Sequence, residues 1–236
     1  MPSAQDVAAA KSGTTRVQLV ESPGLGSVFA MFNAKREPTN DPRVRQALSV
    51  AINRDAIKDR IMEGLSEPTS NMVPATLFGH VPDLKPLKAD TDGAKKLLAE
   101  AGYPDGFGIT IHAPNNRYVN DAKIAQAVAQ MLTRVGIDTK VVAMPSSTFF
   151  TQATELKFSL MLLGWSTGTG EASSSLKALV MTYNRDKGYG TANRGRYSNG
   201  KVDALTEDAL QTVDDVKREA YPVSYTHLTL PTNREG

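Results

Sequence analysis

The chain has 236 residues, 40% of them apolar and 22% charged, with 27 basic side chains against 25 acidic ones. That is enough apolar material for one large or two small core-bearing domains, and it excludes the low-hydropathy, high-charge composition of a disordered chain. A net charge of +2 without a long block of one sign supplies no basic face for a nucleic acid, and the absence of cysteine excludes disulfides, thiolate metal sites and a cysteine nucleophile.

Residues 3–11, Ala-rich behind Ser3, predict a short helix. Residues 16–22 set Val17 and Leu19 among polar neighbours, a strand pattern that Pro23-Gly24 breaks. A second, more apolar strand is predicted over 28–33. Asp41 as N-cap and Pro42 at the first helical position then open a helix, and Val44, Ala47, Leu48 and Ala51 form its apolar stripe. Asn53 and Asp55 can cap another helix, whose apolar face runs through Ile57, Ile61 and Met62 to a stop at Gly64. Pro68, Pro74, Pro82 and Pro86 make 65–90 a long irregular segment.

Thr91 is the expected cap of a helix closed by Gly102, and Pro104-Asp105-Gly106 makes a turn. A strand over 109–112 follows. Asn120 is the expected cap of a long helix that turns Ile124, Val128, Met131, Leu132 and Val135 inward and ends at Gly136. Further along, the pattern predicts a strand over 138–143, a short helix capped by Ser146 or Ser147, and a buried strand over 158–165. A helix over 173–181 comes next. The last helix is capped by Ser198 and carries Val202, Leu205, Ala209, Val213 and Val216. Strands alternating with helices at these lengths argue for an α/β fold with a parallel or mixed sheet flanked by helices.

Two features of the ends stand apart. Residues 1–13 lack the basic and apolar regions of a signal peptide. Residues 223–232 resemble one reading frame of a transposon-derived sequencing adapter, so 223–236 are read as a non-native tail, and His227 carries no functional weight.

Four segments resemble the family 5 extracellular solute-binding proteins, which include dipeptide, oligopeptide and nickel receptors. They are Phe32-Asn33 with Asp41-Pro42-Arg43-Val44-Arg45-Gln46-Ala47-Leu48, then Ala94-Lys95-Lys96-Leu97-Leu98 with Glu100-Ala101-Gly102-Tyr103, then Leu163-Gly164-Trp165, and finally Arg196-Tyr197-Ser198-Asn199 with Val202-Asp203-Ala204-Leu205. The resemblance implies a periplasmic-binding-protein-like α/β fold of type II, cluster C, represented mostly by its second lobe. Residues 1–24 are then expected to be the end of the first lobe and a hinge strand, and 25–222 the second lobe. It also implies a monomeric, periplasmic, non-catalytic receptor whose signal peptide lies outside this sequence. Such a receptor passes a peptide or peptide-like solute to the membrane subunits of an ABC permease, without cofactor or metal.

The expected site follows from the same reading. Residues 164–171 leave the carboxyl end of a buried strand, a usual ligand position in α/β sheets. Trp165, Ser166, Thr167 and Gly168 are candidate contacts there, with Trp165 offering a flat wall and an N–H donor. Dipeptide-type relatives carry an aspartate in this loop to hold the ligand's amino group, whereas here Glu171 is the nearest carboxylate, so it either takes that role or caps the next helix. Asn116, Arg117 and Tyr118 follow another strand, and Arg117 is placed to clamp a carboxylate. Arg194 is a further candidate from a second basic loop, while Arg196 is expected to support the fold.

Other readings are a cleft hydrolase and a sensor or chaperone receptor on the same scaffold. A serine hydrolase would need a Gly-x-Ser-x-Gly elbow and a usable histidine. Gly164-Trp165-Ser166-Thr167-Gly168 has that spacing, but the histidines outside the tail, His80 and His112, are distant from it in sequence and stand far apart without metal-ligand spacing.

Overall fold

A computed structural model of the chain describes residues 4–13, 19–20 and 24–214. The strand expected over 16–22 falls largely outside these residues, as do Val216 and the tail from 223. The elements in order are α1 (Ala4–Lys11), β1 (Gly26–Phe32), α2 (Pro42–Ala51), α3 (Arg54–Arg60), α4 (Thr91–Glu100), β2 (Gly108–Pro114), α5 (Asp121–Thr133), β3 (Asp138–Met144), α6 (Ser146–Thr154), β4 (Leu160–Ser166), α7 (Ala172–Leu179) and α8 (Gly200–Gln211).

The four strands form one mixed sheet in the order β1-β4-β2-β3. β2 is parallel to both β3 and β4, and β1 runs antiparallel to β4 with Gly26 opposite Ser166 and Phe32 opposite Leu160. The chain leaves β2 toward β3 and returns through α6 to the other side of β2, so the strand order reverses between β2 and β4. α/β sheets open a crevice at such a point, beyond the carboxyl ends of the strands.

Strand alternation divides the core. One face carries Ile109, Ile111, Ala113, Leu160 and Leu162 against α2, α4 and α5, with Val44, Leu48, Leu98 and Leu132 as fully buried anchors. The other face carries Phe29, Met31, Met161 and Leu163 against Phe149, Ala153 and Phe158 of α6 and its end. A smaller cluster joins α7 and α8 through Leu176 and Val202 to Val73 in the irregular segment.

Two caps fall where the sequence puts them. Asp41 accepts from the Arg43 backbone N–H at 2.7 Å and Asn53 from that of Ala56 at 2.9 Å. Four caps differ. α4 is capped by Asp90, which accepts from Gly93, and not by Thr91. α8 is capped by Asn199, which accepts from Lys201 and Val202, and not by Ser198. α6 has Pro145 at its cap, with neither Ser146 nor Ser147 serving. Asn120 lies in the left-handed region at φ 55 and caps nothing by its side chain. In each case a neighbour with a short polar side chain, or tertiary contact, outcompetes the expected residue. α3 stops at Arg60, because Glu63 and Gly64 turn to positive φ.

Candidate functional site

Two loops leave the sheet side by side. Ile111 pairs with Leu160 and His112 with Met161, a register that carries residues 164–166 of β4 past the end of β2. The 115–120 loop leaves β2 and the 167–171 loop leaves β4, both at the carboxyl ends.

Asp121 builds the first loop. It is 3% exposed, yet its carboxylate is fully used. One oxygen accepts from the backbone N–H groups of Arg117 and Tyr118, each at 3.0 Å, and the other accepts from Ala122 at 2.9 Å. The Asn116 side-chain oxygen accepts from the Ser146 N–H at 2.9 Å, which ties the loop to the first turn of α6. The Asn120 amide donates to the carbonyl of Ile61 at 2.8 Å.

Tyr118 then reaches across to β4. Its hydroxyl donates to the Gly164 carbonyl at 3.1 Å, and its ring lies where a side chain at 164 would begin: a Cβ there would stand 2.8 Å from Cε1 of the ring. Only glycine leaves room for this approach. The Arg117 guanidinium carbon lies 5.7 Å from the Tyr118 ring centre. Among the described residues that guanidinium has no ion pair and donates no hydrogen bond.

The second loop is stitched by hydroxyls. The buried Thr167 hydroxyl donates to the Glu171 carbonyl at 3.0 Å and lies 2.8 Å from that of Ser174. Glu171 accepts from the Ser173 hydroxyl at 2.7 Å, and its backbone forms a parallel bridge with Phe78. It therefore sits at the start of α7 with its carboxylate already engaged. Ser166 and Gly168 are exposed. Trp165 is half-buried. By strand alternation it shares the α6 face with Met161 and Leu163, and its indole Nε1–H has no acceptor among the described residues.

Arg194 comes from farther away. Its neighbour Gly195 presses on the Phe32 carbonyl at the opposite end of β1 and accepts from Ala34 at 2.7 Å. Buried Asn193 fixes this turn through Met181 and Tyr197. The Arg194 guanidinium extends to the Phe150 ring, 5.5 Å from its centre, and within electrostatic reach of Tyr118. Burial pushes its pKa down, and among the described residues no acid pairs with it and its buried Nε has no acceptor. Arg196 stacks 4.0 Å over Tyr183, outside this cluster.

Tyr118 thus joins the Gly164 strand end to Arg117 and lies within electrostatic reach of Arg194, while Asn116 and Glu171 serve as local ties. Asp121 and Phe150 are the residues that sequence reasoning missed. Asp121 directly after Asn120 signals a helix start, but only the fold shows that it shapes the preceding loop. Elsewhere, a cavity of ≈ 300 Å³ lies at the amino ends of β2 and β3, lined by charges of both signs. His112 in its wall stacks on Phe158 at 4.0 Å, and burial pushes its pKa down. No group of three or more His, Asp or Glu side chains among the described residues is placed to hold a metal ion. Likewise, no helix among them is long and apolar enough to cross a membrane.

A mixed four-stranded sheet with helices on both faces and a strand-order reversal crowned by two loops defines a lobe of the periplasmic-binding-protein type. Residues 1–187 match the bacterial extracellular solute-binding proteins, family 5 Middle, and the chain belongs to that family. It is 31% identical to the glutathione-binding protein GsiB of Escherichia coli over 207 residues, which cover 86% of this chain and 40% of that protein. HbpA2 from Haemophilus parasuis superposes with a TM-score of 0.86 at 26% identity, covering 98% of this chain and 46% of the other. The periplasmic binding protein DppA from Helicobacter pylori, in complex with the peptide STSA, gives 0.80 at 26% identity, covering 87% and 39%. The chain therefore spans less than half the length of these relatives.

Proposed function

We propose that this chain is the second lobe of the substrate-binding component of an ABC importer. In this reading residues 25–222 are the lobe and 1–24 lead in from the first lobe and hinge. The whole receptor takes a peptide or peptide-like solute in the periplasm and delivers it to the permease subunits. One observation carries the reading: the paired loops after β2 and β4 meet at the strand-order reversal and present Arg117, Tyr118 and Trp165 there, with the Arg117 guanidinium and the Trp165 indole N–H unpartnered among the described residues. Peptide-binding scaffolds of this kind combine main-chain hydrogen bonds with a charged group that holds a terminus. The names of two relatives, one glutathione-binding and one solved with a four-residue peptide, support a peptide-like solute.

Trp165 is the only tryptophan and therefore a built-in probe. Short peptides and glutathione are expected to change its fluorescence saturably but weakly, because one lobe offers half of a cleft. Mass spectrometry is expected to recover them intact. Cleaved peptide would favour the hydrolase reading instead, and no response to any of them would remove the receptor reading.

A further inference from the structure

The amino ends of β2 and β3 hold a second opening, remote from the paired loops. By strand alternation Gly108, Thr110 and His112 share the α6 face, and the parallel register sets Asp138 beside Gly108 and Lys140 beside Thr110. α6 and Phe158 cover this face only as far as His112, whose ring stacks on Phe158 at 4.0 Å. Below it the floor is made of small residues, Gly108, Thr110 and Ser159, and the cavity of ≈ 300 Å³ stands over them, at the small end of ligand pockets.

The charged walls do not satisfy one another. Lys157 is committed to Glu155 at 2.6 Å. Asp138, Lys140 and Glu37 line the same cavity, yet among the described residues none of them makes an ion pair or a side-chain hydrogen bond. Asp138 and Lys140 are two residues apart on one strand face, so their Cα atoms stand about 6.6 Å apart and their side chains project side by side. A dipole is therefore built into the wall, and Glu37, from the loop before α2, adds a second carboxylate to the lining. His112 contributes an apolar wall. Its Nδ1 is buried without a partner among the described residues, and burial holds its pKa low, so the ring is uncharged near neutral pH. The carboxylates and this imidazole do not converge as metal ligands among the described residues, so the wall suits an organic solute and not a bare cation.

We infer that this cavity is a second binding site, which takes a small zwitterion with its ammonium and carboxylate about 6–7 Å apart, as in a linear ω-amino acid. The ammonium is received by Asp138 and Glu37, and the carboxylate by Lys140 and the Thr110 hydroxyl. The methylenes between them lie over Gly108, against Pro38 and the His112 ring. A charge leaves water readily only when a counter-charge meets it, so a singly charged solute leaves half of this wall unanswered. Such a site is independent of the receptor reading.

The test is nuclear magnetic resonance of the whole chain, read at the backbone amides of Thr110, His112 and Lys140 and at the Trp165 indole. The probes are 5-aminopentanoate, with both charges spaced, pentylamine, with only the ammonium, pentanoate, with only the carboxylate, and glycine, whose charges are too close to span the wall. 5-Aminopentanoate is expected to shift the three amide peaks saturably and leave the indole unmoved, while the other probes bind at least about tenfold more weakly. Equal binding of any of those three, movement of the indole in place of the amides, or silence overturns the inference, and none of these outcomes bears on peptide capture at the loops.

Asp138→Asn and Lys140→Gln change exposed side chains. Each is expected to weaken 5-aminopentanoate about tenfold. An unchanged affinity in either folded variant overturns the inference.

Discussion

The sheet face beneath α2, α4 and α5 and the loop end above β2 and β4 follow opposite rules. The first is closed and apolar: Val44, Ala47 and Leu48 of α2 are 0% exposed, and Leu98 and Leu132 nearly so. The second is polar and ends in donors that nothing in the described chain answers. On the proposed reading, stability and recognition are carried by different residues, and a substitution in one region should be readable separately from a substitution in the other.

Leu48→Ala is the strongest test of this separation. It removes a fully buried side chain from the closed face and is expected to cost about 2–5 kcal/mol in urea unfolding. The chains that remain folded should bind peptide as before. A loss of affinity in the folded fraction would show that the two regions are coupled.

Gly164→Ala sits on the boundary. The added methyl meets Tyr118 Cε1 at 2.8 Å and the Ser27 carbonyl at 3.2 Å, so the ring must shift and its bond to the Gly164 carbonyl weakens. A cost of about 1–3 kcal/mol is expected from thermal melts, together with an altered Trp165 emission. An unchanged spectrum and melting point would mean that the loop tolerates displacement.

Asp41→Asn probes a place remote from the loop end and should have the smallest effect. The hydrogen bonds from Arg43 hold the Asp41 carboxyl below its usual value. Because the folded-state pKa is depressed, the charge stabilises the fold above about pH 4 and this contribution fades as pH falls through the folded-state value. Asparagine keeps a capping oxygen, so roughly 0.5 kcal/mol is expected at pH 7, given that the pair is partly exposed. The difference should vanish in acid. A gap that persists at pH 2.5 would assign it to the cap and not to the charge.

Much of the fold is legible in the sequence because it rests on local signals. Asp41-Pro42 opens α2, the 3–4 spacing of Val44, Ala47, Leu48 and Ala51 names its buried face, and the uninterrupted apolar run of β4 matches its burial on both sides. Local signals mislead where two capping residues are adjacent, as at Asp90-Thr91 and Ser198-Asn199, since either can close the helix end and tertiary contacts choose. The site is legible only in part. The position of Trp165 and Arg117 at strand ends follows from the strand pattern. That Glu171 is tied to Ser173, that Asp121 shapes the 115–120 loop, and that Arg194 reaches Phe150 all depend on contacts between segments 30 or more residues apart or on loop geometry, which periodicity does not encode.

The saturated carboxylate of Asp121 has a kinetic meaning. Three N–H groups fix the backbone around Arg117 and Tyr118 as the chain folds, so a solute bound at the proposed site would meet a surface that is already set. Ordering entropy is then lost during folding and not during capture. Relatives with the same anchor should capture their solutes at similar speeds and differ mainly in how long they retain them.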